Sequence, residues 1–117
     1  NIKIKGSQIL IMGLTFKENW PDTRNSGVIN VITNLKEFEC KLYLMDPYAD
    51  KKNIVKEKNI YQHSSVNENI YDAVLIAVGH DQFKNMGITS IKKLCKINHV
   101  IFDLKNLFNS NDVDLRL

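Results

Sequence analysis

Lys17 and Arg24 stand in the run Gly13-Leu14-Thr15-Phe16-Lys17-Glu18-Asn19-Trp20-Pro21-Asp22-Thr23-Arg24-Asn25-Ser26, between an apolar segment and a stretch of helical periodicity. A helix N-terminus already carries partial positive charge and free N–H donors, so cations placed before it are unfavourable unless negative charge arrives. A phosphate or diphosphate would satisfy the N–H groups and both side chains together, Arg24 offering a planar fork and Lys17 a point charge. The other arrangement pairs the two cations with Glu18 and Asp22 on a solvated loop, where such ion pairs are worth ~0–1 kcal/mol. The spacing leaves both open. Trp20, the single Trp of the chain, can pack beneath this loop or stack on a base.

Other residues capable of chemistry are less well supported by their neighbours. His80 and Asp81 follow an apolar run and could form an acid–base pair, although a loop His with no partner to orient its ring reads as structural. His63 and His99 have less support still. Asp46 closes a strand-like segment, where a dinucleotide fold places its ribose-binding acid, but Asp46-Pro47 is a common turn opener and a structural or turn role is the favoured reading. The cationic run has one Gly at its head and so is neither a G-x-G-x-x-G fingerprint nor a Walker loop. Cys40 and Cys95 lack CxxC spacing, a His pair and an adjacent base, which points to buried, inert thiols and away from zinc or a disulfide framework. No catalytic set and no metal site is visible.

These residues must be positioned by a scaffold, and the hydrophobic pattern specifies one. Gln8 to Gly13 is a short continuous apolar run, as in a strand buried on both faces. Asn25 or Ser26 can cap a helix whose apolar face comprises Val28, Ile29, Val31, Ile32 and Leu35, with Phe38 near its end. Lys41 to Asp46 reads as the second strand, followed by a short polar helix around Lys51 to Lys58. Ala73 to Val78 reads as the central strand. Phe83 to Met86 reads as one helical turn, Ser90 as the cap of a helix through Leu94, and Val100 to Leu104 as a further strand before an irregular tail. Strands alternating with helices imply an α/β, Rossmann-like doubly wound parallel sheet in a three-layer αβα arrangement. Ligands of such sheets gather beyond the carboxyl ends of the strands, which puts weight on Phe16, Lys17, Asp46, His80, Asp81 and Lys105.

The chain of 117 residues fits one domain, 1–117, with 44% hydrophobic and 25% charged residues. Sixteen Lys and Arg against 13 Asp and Glu give a net charge of +3, spread without a basic block, so nucleic acid is not an expected partner. No apolar run approaches the ~18 residues that span a bilayer, and no signal peptide is recognisable; a cytoplasmic protein with no membrane contact is expected. The first residue is Asn1, with no initiator Met, and the chain leads at once into a strand, which reads as a piece of something longer.

The run Gly13 to Asn19, then Pro21-Asp22 and Arg24-Asn25-Ser26, resembles the opening motif of the C-terminal UDP-binding domain in the UDP-glucose/GDP-mannose dehydrogenase family. The likeness is greatest to the bacterial UDP-N-acetylhexosamine 6-dehydrogenases. Met45-Asp46-Pro47-Tyr48, Tyr71-Asp72-Ala73, Gly79-His80-Asp81-Gln82-Phe83 and Phe102-Asp103-Leu104-Lys105 extend it over nearly the whole chain. The resemblance implies an N-terminal NAD-binding domain, a central helical dimerisation region and a homo-oligomeric enzyme. That enzyme oxidises the C6 alcohol of a UDP-sugar to a carboxylate in two NAD-dependent steps, through a thiohemiacetal, for surface-polysaccharide precursors. The catalytic Cys belongs to preceding regions and matches neither Cys40 nor Cys95, so the chain alone is expected to be inactive. Carried over by motif, Phe16 and Lys17 meet the UDP-sugar and Arg24 reaches NAD across the cleft. Lys105 stands where related enzymes carry the Arg of an Asp-Gly-Arg triplet that contacts substrate. Trp20 departs from the Cys or Thr usual at its place. Two rival readings are a non-catalytic nucleotide-binding or interaction module and a receiver-like signalling domain; the latter requires an acidic pair after the first strand, which Gly13 to Phe16 does not supply.

Overall fold

Residues 5–13, 31, 34–35, 37–46, 60–62 and 68–116 are described in a computed structural model. Strands β1 (Gln8–Met12), β2 (Lys41–Met45), β3 (Ile60–Gln62), β4 (Tyr71–Ile76), β5 (Cys95–Asp103) and β6 (Leu115–Arg116) form one sheet. Their order is β3-β2-β1-β4-β5-β6 and every pairing is parallel. This is the doubly wound arrangement, with its reversal of strand order between β1 and β4.

The central strands are apolar on both sides because both sides are covered. Leu10 and Met12 of β1 join Val74, Ile76 and Ile101 in a core closed by Phe83, Ile91 and Leu94 of the helix Asp81–Leu94. Ile11, between them in sequence, turns the other way and packs with Leu42, Leu44, Ala77 and Val78, with Leu35 partly buried against the same cluster. Val31, Asn34 and Leu35 are helical, so helical residues meet both faces and the expected three layers are present. Full burial of each such side chain is worth ~1.5–3 kcal/mol, which makes these two clusters the main source of stability.

A strand apolar on both faces is poorly fixed in register by its pattern, since a one-residue slip buries nothing polar. Polar contacts at its start supply the missing definition. The Gln8 backbone N–H donates to Oδ2 of Asp72 at 2.8 Å, its Nε2 donates to the Ile70 carbonyl at 3.2 Å, and its Oε1 accepts from the Tyr43 hydroxyl at 2.8 Å. The Tyr43 and Tyr71 rings then meet edge to face at 5.3 Å between centroids.

Several boundaries differ from those the sequence suggests. The central strand runs from Tyr71 to Ile76, two residues earlier than expected, because Ala77 and Val78 have already turned to meet β1. The turn at Phe83 to Met86 and the helix through Leu94 are one element, broken at Gly87, whose φ of 79° and ψ of 154° are not helical. Ser90 therefore lies inside this helix, and the residue at its N-cap is His80. Strand β5 starts at Cys95, not Val100: Tyr71 pairs with Cys95 and Ala73 with Val100, so a step of two residues on β4 faces a step of five on β5. The surplus bulges outward and carries Ile97, 97% exposed. Strands β3 and β6, three and two residues long, are too short to register as hydrophobic runs. The expected polar helix around 51–58 lies outside the described residues.

Candidate functional site

All six strands being parallel, their carboxyl ends share one side of the sheet, and β1 meets its neighbours there at close quarters. The Gly13 N–H donates to the Met45 carbonyl at 2.9 Å, and the N–H groups of Ala77 and Val78 both approach the Met12 carbonyl, at 2.9 and 3.3 Å. Gly13 has φ 105°, and a Cβ built on it would lie 2.5 Å from Cβ of Val78 and 2.8 Å from its backbone N. Only glycine combines that backbone conformation with that approach. Gly13 thus closes β1 at the point where strand order reverses, the position at which sheets of this type hold ligands. Phe16, Lys17 and Arg24 lie outside the described residues, as do Trp20 and His63.

Asp46, just past β2, and His80, at the N-cap of the helix, come together above β1. Nε2 of His80 lies 3.0 Å from Oδ2 of Asp46, and the side chains are 0% and 2% exposed. A carboxylate accepts, so this contact places the hydrogen on Nε2. The His80 ring also leans on Phe83, with centroids 5.3 Å apart. His80 is fully buried, and Asp46 orients its ring. Buried against an imidazole, Asp46 has a structural role, as the sequence favours, and is not a carboxylate presented to a ribose. Sequence reasoning misses the pair because its members stand 34 positions apart, with β3 and β4 between them.

Lys105 is exposed directly after β5. Its position follows from Asp103, which is fully buried and accepts from the Lys105 N–H at 3.2 Å through Oδ1 and from the Phe108 N–H at 2.8 Å through Oδ2. The Leu104 N–H continues the ladder to the Ile76 carbonyl at 3.0 Å, and Leu107 and Phe108 pack against the larger core cluster.

The thiols lie away from this crevice in chemistry as well as position. Cys40 and Cys95 are both buried and reduced. Burial pushes the Cys95 thiol up to about 11, and the negative charge of Asp114 adds to the effect. A thiol so protonated is a poor nucleophile. Among the described residues no cluster of three or more His, Cys, Asp or Glu could hold a metal ion, and no helix is long and apolar enough to cross a membrane.

Comparison with known proteins adds to this geometry. Residues 10–110 match the UDP binding domain of the UDP-glucose/GDP-mannose dehydrogenase family. A UDP-N-acetyl-D-glucosamine 6-dehydrogenase from Salmonella typhi is 42% identical over 99% of this chain, and one from Pseudomonas aeruginosa is 40% identical over the same share. A solved UDP-D-ManNAc dehydrogenase from Pyrococcus horikoshii superposes on 94% of the chain with a TM-score of 0.70 at 27% identity. The chain spans about a quarter of each: 27% and 28% of the two sequence relatives and 24% of the solved structure.

Proposed function

This chain belongs to the UDP-glucose/GDP-mannose dehydrogenase family as a UDP-binding domain, and on that premise we propose that it forms the UDP-sugar wall of an NAD-dependent UDP-N-acetylhexosamine 6-dehydrogenase. The observation that carries the reading is the near-complete match to two 6-dehydrogenases at 40–42% identity. The tight crossing of β1 and β4 at Gly13 supports it, since Gly13 lies at the ligand end of the sheet and the cationic run follows it in the sequence. In this reading Phe16 and Lys17 contact the UDP-sugar, and Lys105 adds positive charge from the end of β5, two strands from β1. Two ammonium groups near the diphosphate offset its charge as point cations, without the bidentate geometry of an Arg.

The described residues do not themselves fit NAD. The acid at the end of β2 is buried against His80, and the turn after β1 has one Gly where a dinucleotide fingerprint has three. NAD therefore binds mainly to the remainder of the enzyme, with Arg24 reaching it across the cleft. That remainder also supplies the nucleophilic Cys and the homo-oligomer contacts. The product would be a uronic acid nucleotide sugar, made in the cytoplasm for surface polysaccharide.

Kinetics of the full-length enzyme test the assignment. Lys17→Ala is expected to raise KM for the UDP-sugar by about tenfold or more, the cost of one charge-assisted contact. Arg24→Ala is expected to weaken NAD more than substrate. Unchanged kinetics in both variants would overturn the proposal.

A further inference from the structure

We propose that Asp103 is a positioning residue for the UDP site, holding Lys105 in place through the backbone; this rests on the reading of Lys105 as a substrate contact. Asp103 is 0% exposed at the end of β5, with apolar Ile101 and Ile76 in the adjoining core. A buried carboxylate is costly unless it is hydrogen-bonded, and an apolar residue of similar size would fill the site without that cost. What the acid provides here is specific. One oxygen takes the N–H of Lys105 itself, and the other takes the N–H of Phe108, three residues on.

The loop between them is fixed at both ends by other means. Leu104 continues the sheet ladder at one end, and Leu107 and Phe108 are anchored in the core at the other. The carboxylate is thus not required to keep the loop attached. Lys105 and Asn106 are its exposed residues, and Asn106 takes a left-handed φ of 54°. Among the described residues, Oδ1 of Asp103 is hydrogen-bonded directly to the backbone of Lys105, and so helps to set the origin of its side chain. All of this lies at the carboxyl end of the sheet, one strand from the reversal between β1 and β4.

The test is calorimetric titration of the full-length protein with UDP, for wild type, Lys105→Ala, Asp103→Asn and the double variant. The carboxamide offers one acceptor where two N–H groups converge, so Asp103→Asn is expected to weaken UDP at least ~threefold, and Lys105→Ala about tenfold. The double variant should bind no more weakly than Lys105→Ala alone, since residues that act through one another are non-additive. An Asp103→Asn variant with wild-type affinity, or a double variant showing the product of the two single effects, overturns the positioning role while leaving Lys105 in the site. A Lys105→Ala variant with wild-type affinity removes the reading of Lys105, and the role of Asp103 falls with it. Amide exchange in the wild-type protein gives a check independent of any variant. Slow exchange at Lys105 and Phe108 supports the proposal, and exchange as fast as at exposed Asn109 and Ser110 overturns it.

Discussion

Gly13 joins two constraints that are usually met at different positions, a left-handed φ and a neighbour inside van der Waals range. Gly87 shares the first, with φ 79°, but nothing lies within 4 Å of where its Cβ would stand. The two glycines therefore separate backbone strain from steric overlap. Gly87→Ala is expected to cost ~1–3 kcal/mol for the strained conformation alone. Gly13→Ala must also displace Val78 and is expected to cost about 3 kcal/mol or more, with overpacking added. Denaturant unfolding of both variants checks the order, and equal losses would contradict it. That Gly13 ends a strand is legible in the sequence. That Val78 leaves it no room is not, because the contact arises only when β4 is laid beside β1.

The elements are unevenly legible in the sequence, for a physical reason. β1, β2 and the body of β4 are continuous apolar runs, so covering both faces of a sheet is their only economical fate. β5 is harder, because its first half departs from the ladder and carries exposed Lys96, Ile97 and Asn98. The tie between elements is harder still. Asp46 and His80 link the end of β2 to the start of the long helix, passing over β1, and nothing local to either residue signals the other. His80→Ala is expected to lower unfolding free energy by about 2–3 kcal/mol, the worth of a hydrogen bond to a charged acceptor in a buried site. Asp46→Asn, which keeps an acceptor oxygen, should lose less. Urea titrations of the two variants measure the difference, and a neutral His80→Ala would show that the tie adds nothing.

At the scale of the whole molecule, the sheet segregates its two ends. The carboxyl end holds Gly13, the Asp46–His80 pair and Lys105, whereas the amino end holds the polar contacts of Gln8 and the bulge of β5. The doubly wound fold is legible from alternating strands and helices, but Phe16, Lys17 and Arg24 gain their assignments from motif likeness and lie outside the described residues. With both thiols buried and Cys95 held protonated, the chain on its own is expected to bind UDP yet form no NADH from NAD and UDP-N-acetylglucosamine. Absorbance of NADH in a mixture of purified chain, NAD and sugar nucleotide measures this, and steady turnover would refute it. The bulge has a practical consequence. Because the sequence contains two cysteines and both are buried, Ile97→Cys would create a thiol open to a fluorophore without removing the native ones. The dye would sit at the amino end of the sheet, opposite Gly13 and Lys105, so its tumbling would report association with a larger partner while leaving the proposed UDP site unlabelled.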